Sequence, residues 1–372
     1  MKLCKLSTGD TVYRYYKSIV MLFEQPRKVL STSILNGGYR EDLSAVFNHD
    51  ANPGAGMACT LRAPTYEEHM RLIAEEVGLN PDTVAGMGTA ASMENVAIQS
   101  ETYESLTVTA LVTGGVEVNG GRVGDPASYF KPIDKTTLHR PGTINIMLVI
   151  DADVPPGTLT RALVTCTEAK TAALQELMAG SNYSSGLATG SGTDQTIVIA
   201  NPASALYLEN AGKHSKLGEL IGRVVKHAVK EALLRQTGLS PRRQHSILKR
   251  MKRFGVKEET LWQAYTAENS VVVIKPEFLE YLYQLDGDNC LVTYTSLYVH
   301  LLDQFQWELL SGEEVMQTGN ELLATVAGKF GVLSPVIAGP ELPACIQAWV
   351  QLILNIMSIK YMDAGNGEIG GE

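Results

Sequence analysis

The segment Thr143–Ile150 constrains the fold of this 372-residue chain more than any other feature. It reads TINIMLVI, a nearly continuous apolar run, and the carboxylates of Asp151 and Asp153 follow it. Such a run is typical of a central β-strand that is buried within a sheet. We therefore expect the chain to build its core around this strand.

Further strands are predicted before and after this run. Residues 11–35 are rich in Val, Ile, Tyr and Leu and end at Asn36-Gly37-Gly38, a pattern that favours strands running into a tight turn. The segments Leu106–Val112 and Gln195–Ala200 also have the apolar composition and the length of strands.

Three helices have clear signals. Thr65 and Glu68 have the spacing of a capping box, and Gly78 ends the helix that they begin. A second helix is predicted at about Pro156–Met178 and a third at about Ser215–Arg235, where apolar residues keep a helical period throughout. The combination predicts an α+β fold, with a mixed β-sheet core and packed helices.

The composition changes at residues 237–241, TGLSP, where a helix stops and glycine becomes rarer. We predict a first domain at residues 1–238, followed by a mainly helical C-terminal extension of unknown role at residues 239–372, with one or two strands. In this extension the apolar segment Ala344–Met362 carries a polar stripe at helical spacing. A packed helix is therefore expected there, not a membrane span.

Charge and cysteine content narrow the functional classes. A net charge of -9 argues against general affinity for nucleic acid or anionic membranes. The one basic run, Arg242–Arg253, has no accompanying nucleic-acid-binding motif and is interpreted as a solvated helix face. The five cysteines are scattered and odd in number, and no signal peptide is recognisable, so the expected location is the cytoplasm.

Lys170 is the most informative single residue. On a helical wheel it lies in the middle of the apolar face of the predicted helix 156–178. Burial of an ammonium group is costly unless the group is paired, so Lys170 should meet a carboxylate or act as a positioned acid or charge. A purely structural ion pair and a side chain that reaches solvent are the alternatives. Glu168 falls on the opposite side of the helix, where a solvated glutamate is the default.

The loop Ala188–Asp194, ATGSGTD, alternates small residues with hydroxyl groups. Its glycines allow backbone N–H groups to converge on an oxyanion, and Thr189, Ser191 or Thr193 could supply a nucleophilic hydroxyl. A flexible connector is an equally good interpretation, because Gly, Ser and Thr are ordinary loop residues.

His214 lies where the predicted helix 215–235 begins, and the free N–H groups of a helix N-terminus favour a neutral imidazole. A neutral histidine can act as a general base, and Asp194 is a natural partner to orient it. A surface histidine is the alternative, since the chain has seven histidines. Metal binding has little support: His49 and Asp50 are adjacent, but no HExxH or HxH pattern is present.

Five segments taken together resemble the adenosylcobinamide amidohydrolase family of prokaryotic cobamide salvage. Their order and approximate spacing match the family over residues 29–232, whereas the residues after about 240 do not align with it. The segments are LSTSILNGG at Leu30–Gly38, GTINI at Gly142–Ile146, TEAKT at Thr167–Thr171, ATGSGTD at Ala188–Asp194 and GKHSKLGELIG at Gly212–Gly222.

The resemblance implies hydrolysis of the amide that joins aminopropanol to the corrin side chain of adenosylcobinamide, which gives adenosylcobyric acid. The corrinoid is then the substrate and partner, so no separate cofactor, nucleic acid or membrane is required, and a homo-oligomer stays open. With the residue patterns above, it favours these catalytic residues: His214, Asp194, Lys170 and Thr193. The substrate-binding residues that it favours are Asn36, Gly37, Gly38, Asn145, Glu168 and Thr189.

Two other interpretations remain open at this point. One is a corrinoid-binding or trafficking protein that does not catalyse a reaction, and the other is an amidohydrolase that acts on a different amide. Turnover of adenosylcobinamide separates both from the family activity.

Overall fold

The structure is a computed structural model, and it describes residues 1–54, 61–127, 142–268 and 273–365. The chain divides into two compact units, Met1–Ser240 and Pro241–Glu372. The first unit contains both strands and helices, and the described part of the second contains helices alone.

The strands and helices of the first unit alternate irregularly along the chain. Its described strands are β1 (Lys2–Lys5), β2 (Thr11–Tyr15), β3 (Ser18–Leu22), β4 (Lys28–Ser31), β5 (Gly38–Arg40), β6 (Ala45–Asp50), β7 (Val84–Thr89), β8 (Ala97–Tyr103), β9 (Leu106–Gly114), β10 (Gly120–Gly121), β11 (Ile144–Ile150), β12 (Gly190–Ser191) and β13 (Gln195–Ala200). Its α-helices are α1 (Tyr66–Glu76), α2 (Pro156–Glu176) and α3 (Lys216–Thr237).

Two large sheets organise the first unit. The first sheet has the strand order β1-β2-β3-β6-β7, and the second has the order β5-β4-β13-β11-β9-β8. In the second sheet β11 pairs parallel with β13 and antiparallel with β9. All seven residues of β11 are buried, which confirms the predicted central strand and the mixed sheet.

The two sheets pack face to face, with helices on both outer faces. Met87 of the first sheet shares one apolar core with Met147 and Ile197 of the second. The opposite face of β11, which includes Ile146, packs on α2 and α3. On the far side of the first sheet, α1 packs against a core that includes Phe47. The first unit is therefore a four-layer sandwich, helix–sheet–sheet–helix, and the predicted α+β class is confirmed.

The helix boundaries follow from local signals. Thr65 and Glu68 form the predicted capping box of α1. The Ser215 side chain accepts from the backbone N–H of Gly218 and caps α3, which ends at Gly238 with φ 72°. Each of these signals lies within a few residues of the helix end that it sets.

The second unit is a helical bundle in its described part. Its helices are α4 (Ile247–Met251), α5 (Glu258–Glu268), α6 (Lys275–Asp286), α7 (Asn289–Gln306), α8 (Gly312–Phe330) and α9 (Leu342–Gly365). No strand occurs among its described residues, so the expected one or two strands are absent there. Helix α9 is apolar and long enough to cross a membrane, but half of its window 342–359 is buried and Trp349 and Ile353 belong to the core of the bundle.

One prediction for the second unit is wrong in part. Arg253 of the basic run donates from both terminal nitrogens to the carboxylate of Asp303 at 2.6 Å. The two side chains are only 4% and 6% exposed. Arg253 is therefore part of a buried bidentate ion pair and not of a solvated helix face, because a carboxylate in a distant helix supplies its partner.

Candidate active site

Lys170 and Asp194 form a buried ion pair at the point where β13 begins. Their side chains are 12% and 11% exposed, and the Lys170 ammonium donates to Oδ2 of Asp194. Of the alternatives that the sequence leaves open for Lys170, the structure shows an ion pair with a carboxylate. Glycine is required at position 190 beside them, since a Cβ atom there would lie 2.3 Å from Asp194 Oδ2.

Asp194 also fixes two backbone segments. Its Oδ1 accepts from the backbone N–H of Ile144 at 2.8 Å and from the Ser191 hydroxyl at 2.7 Å. Its Oδ2 accepts from the backbone N–H of Ser191 at 3.0 Å. With Lys170 this gives the carboxylate four donors, so the pair joins α2, the loop before β13 and the first residue of β11.

The predicted pairing of His214 with Asp194 is wrong. His214 is exposed in the turn before α3 and has no hydrogen-bond partner among the described residues, whereas the oxygens of Asp194 are occupied by other donors. Glu168 forms a surface ion pair with Lys213, at 3.2 Å with side chains 43% and 59% exposed. Glu168 and Lys170 therefore face different surroundings, as the helical wheel indicates.

The Asn-Gly-Gly turn has a structural contact that uses its polar group. Asn36 adopts φ 49°, and its Nδ2 donates to the carbonyls of Pro81 and Val84, both at 2.7 Å. Gly37 and Gly38 continue the turn, and Gly38 has φ 83°. Both amide hydrogens of Asn36 are thus bonded to backbone at the start of β7, so they are not available to hold a substrate.

The two threonines of the glycine-rich loop also contact backbone. Thr189 Oγ1 accepts from the N–H of Val123 at 2.9 Å, and the Thr193 hydroxyl donates to the carbonyl of Gly142 at 3.2 Å. Of the three hydroxyl groups that the sequence offers in this loop, the hydroxyl of Ser191 is the one that contacts the Lys170–Asp194 pair.

Asn145 lies in a buried amide cluster between the two sheets. Its Nδ2 donates to Asn48 Oδ1 at 2.8 Å and to the carbonyl of Gly88 at 3.0 Å. Asn48 in turn donates to Thr113 Oγ1 at 2.8 Å. The cluster thereby connects the ends of β6 and β7 in the first sheet with β9 and β11 in the second.

Three buried oxygens in this region have no hydrogen-bond partner among the described residues. They are Asn145 Oδ1, Gln195 Oε1 and Thr143 Oγ1. Asn145 and Gln195 are direct partners in the parallel register of β11 and β13, so two of these acceptors are side by side. An unsatisfied buried polar group costs about 1–3 kcal/mol, and three of them at one place indicate a binding site for a ligand that donates hydrogen bonds.

Tyr66 connects the outer face of the first sheet to this cluster. β7 is the edge strand of that sheet, and a Cβ atom on its Gly88 would lie 2.5 Å from the Tyr66 hydroxyl. Burial raises the pKa of Tyr66, while the backbone N–H of Gly88 and the side chain of Gln195 lower it. The missing side chain at position 88 therefore lets Tyr66 pass the end of β7 and reach Gln195.

A cavity of about 140 Å³ adjoins the same region. Its lining includes Ala90 beyond β7, Gly115 beyond β9 and Gly142 before β11. Gly115 donates its backbone N–H to the carbonyl of Thr143 at 3.0 Å, and Gly142 directly precedes Thr143 in the chain, so two lining residues adjoin Thr143. We call the region formed by Thr143, Asn145, Gln195 and Tyr66 the polar edge.

The sequence did not single out several residues of this site. Asn48, Tyr66 and Gln195 follow or flank apolar runs, and only the strand register brings them together. The sequence offers His49 only as a metal ligand beside Asp50, and the described residues contain no group of three His, Cys, Asp or Glu side chains that could hold a metal ion.

Comparison with known proteins assigns the first unit to a family. Residues 3–241 match the model of adenosylcobinamide amidohydrolase.

An uncharacterized protein of Methanocaldococcus jannaschii is 33% identical over 238 residues, 61% of this chain and 89% of that protein. The adenosylcobinamide amidohydrolase of Methanosarcina mazei is 29% identical over 227 residues, 59% of this chain and 96% of that protein. The match to a solved structure of a Pyrococcus horikoshii protein covers 59% of this chain and 77% of that protein's chain, at 14% identity and with a TM-score of 0.30. With the family model matching well over half of its length, the chain belongs to the adenosylcobinamide amidohydrolase family.

Proposed function

We propose that the first unit hydrolyses the amide between aminopropanol and the corrin side chain of adenosylcobinamide, giving adenosylcobyric acid for cobamide salvage in the cytoplasm. The observation that carries the proposal is the pair of unpartnered amide oxygens on Asn145 and Gln195. A corrinoid carries amide groups around its rim, and amide N–H groups are the donors that these oxygens lack.

Lys170 and Asp194 have a positioning role in the proposed reaction: they hold Asn145 and Gln195 in place. Asp194 accepts from the first N–H of β11 and immediately precedes β13, so the ion pair sets the spacing between Asn145 and Gln195. Because four donors already occupy its oxygens, the Asp194 carboxylate has little bonding capacity left for a substrate. The two amide side chains, by contrast, have bonding capacity left for a substrate.

The experiment follows adenosylcobinamide by chromatography with the wild type and with Gln195→Met. Methionine keeps the length of the side chain and removes its amide, both the unpartnered oxygen and the group that interacts with Tyr66. One lost neutral hydrogen bond, worth about 0.5–1.5 kcal/mol, corresponds to a rise in KM of roughly 2- to 12-fold. The control is Gln175→Met on the exposed side of α2, which should leave KM unchanged.

The wild-type reaction decides between the proposed function and its rivals. Release of aminopropanol together with adenosylcobyric acid supports the proposal. Tight binding of adenosylcobinamide with no product over hours would instead identify a corrinoid-binding protein, and cleavage of simpler amides alone would identify a different amidohydrolase.

A further inference from the structure

A row of polar side chains crosses three neighbouring strands on the α1 face of the first sheet. Ser18 of β3 and His49 of β6 are direct partners in the antiparallel register, and Ser18 Oγ lies 2.8 Å from His49 Nδ1. His49 and Gly88 are direct partners in the parallel register of β6 and β7. The hydroxyl of Tyr66 lies over Gly88 and so completes the row.

The hydrogen bond to Ser18 is the basis on which we assign the tautomer of His49. Ser18 is fully buried, and the only side-chain hydrogen bond of its hydroxyl within the described residues is to His49 Nδ1. A buried hydroxyl that lacks another acceptor donates to the one it has, so Nδ1 accepts and Nε2 carries the hydrogen. The Nε2–H group has no partner among the described residues and is therefore a free donor.

The surroundings of His49 keep its ring neutral. Burial is the largest cause that lowers its pKa to about 4, followed by the positive charge of Arg62 and by His69 and Lys17, against which Glu76 acts weakly. His69 has its own lowered pKa through burial and Arg62, and its Nδ1 accepts from the backbone N–H of Arg62 at 3.2 Å. The row is thus formed by uncharged groups at neutral pH.

The row and the polar edge meet around the end of β7. β6 presents Asn48 to the space between the sheets, where it bonds to Asn145, and presents His49, the next residue, to the opposite face, as the alternation of a strand requires. Because β7 is the edge strand, the two faces are separated only by its last residues, where Tyr66 reaches Gln195.

We propose that His49 is the electrophilic residue of the amide hydrolysis, its Nε2–H donating a hydrogen bond to the scissile carbonyl oxygen, with Ser18 as the residue that positions it. This inference rests on the proposed function. Water bonds to the carbonyl carbon, the C=O electron pair moves to the oxygen, and the His49 N–H stabilises the negative charge that forms. The electron pair on the oxygen then re-forms the C=O bond as the C–N bond breaks, a proton from the attacking water ends on the departing amine, and the water oxygen stays in the new carboxyl group.

Other described histidines do not offer this geometry. His214, His227, His245 and His300 are exposed. His69 is 5% exposed but belongs to α1, one layer further from the amide cluster. His49 is therefore the histidine that lies on the sheet beside Gly88, over which the Tyr66 hydroxyl lies.

The test compares three variants with the wild type. His49→Phe keeps a planar ring without an N–H. It should lower kcat about 100- to 1000-fold, as removal of one oxyanion donor usually does. Binding of adenosylcobinamide, followed by visible absorbance titration, should stay unchanged. His49→Gln restores an N–H donor and should recover a large part of kcat. Ser18→Ala should lower kcat less, roughly 10-fold, because it frees the other tautomer. The matched control is His227→Phe at an exposed position, which should match the wild type.

The pH profile separates this role from a purely structural one. A neutral donor predicts a kcat that is constant from about pH 5.5 to 8, both in the wild type and in His49→Gln. A wild-type profile with a pKa near 6.5 that disappears in His49→Gln would make His49 a proton-transfer base and overturn the electrophilic assignment.

Failure of the inference differs from failure of the proposed function. A wild-type protein that does not cleave adenosylcobinamide overturns the proposed function. A wild type that cleaves it, with His49→Phe within twofold in kcat, overturns this inference alone. If His49→Phe does not fold, as judged by circular dichroism, Ser18→Ala and the pH profile of His49→Gln decide the question.

Discussion

Replacement of Lys170 by methionine tests the buried ion pair directly. The two side chains are 12% and 11% exposed, so Lys170→Met would leave the carboxylate of Asp194 in a poorly solvated place without its cation. Methionine fits the apolar surroundings of α2, which include Cys166 and Ala173. The substitution thus removes the charge and little of the packing.

The expected loss of stability follows from what remains around Asp194. Removing one partner of a buried ion pair costs about 3–5 kcal/mol. Three donors stay in place, the N–H and O–H of Ser191 and the N–H of Ile144, and they stabilise the carboxylate. We therefore expect the lower end, about 3 kcal/mol, for Lys170→Met. The double variant Lys170→Met/Asp194→Asn should lose less than Lys170→Met alone, since it leaves no buried charge.

Amide hydrogen exchange of β13 measures this loss within the first unit, because central strands exchange mainly through global opening. The three tryptophans, Trp262, Trp307 and Trp349, all belong to the second unit, so their fluorescence in urea serves as an internal reference. A loss below about 1 kcal/mol in Lys170→Met, or a double variant as unstable as the sum of the single ones, would refute the reasoning.

Two further predictions concern the end of β7 and its neighbour His49. Gly88→Ala would place a Cβ atom 2.5 Å from the Tyr66 hydroxyl, so we expect the free energy of unfolding to fall by about 1–3 kcal/mol. Tyr66→Phe should partly relieve this loss. Thermal unfolding measures it, and an unchanged melting temperature in Gly88→Ala would contradict the prediction. For His49, a folded pKa of about 4 lies below the unfolded value near 6.5, so the unfolded state binds more protons between these pH values. The free energy of unfolding should therefore fall as the pH drops from 6.5 to 4, by at most about 3 kcal/mol from this group, and urea titrations of His49→Gln should show a correspondingly shallower decrease.

The parts of the fold that the sequence predicts depend on local patterns. The apolar run of β11, the capping box at Thr65 and the period of α3 each lie within one element, so their physical causes can be recognised without knowledge of the rest of the chain. Lys170 belongs to the same group, since its place on the apolar face of α2 alone marks it as a cation for which a partner is favourable.

The remaining parts of the site depend on contacts between distant segments. Asn48 and Asn145 are 97 residues apart, and Ser18 and His49 are 31 residues apart. Such pairs arise from strand order and register. A shift of the register by one residue would turn each side chain of a strand to the opposite face of its sheet. The predicted hydrogen bond between Asp194 and His214 is wrong for the same reason, because Lys170 on the packed helix α2 donates to Asp194 instead.

The double variant also shows whether Lys170 and Asp194 only position other residues or take part in the reaction themselves. A lysine that only sets the spacing of β11 and β13 can be exchanged, together with its partner, for a neutral pair of similar shape. Lys170→Met/Asp194→Asn should then keep substantial turnover of adenosylcobinamide, because the introduced amide oxygen can still accept from the N–H of Ile144 and Asn145 stays beside Gln195. If instead either charge took part in the reaction, the double variant would be as inactive as the worse single variant even at temperatures where it is fully folded. The stability measurement and the turnover measurement on the same protein therefore answer different questions, and only a folded but inactive double variant would return Lys170 or Asp194 to the catalytic set.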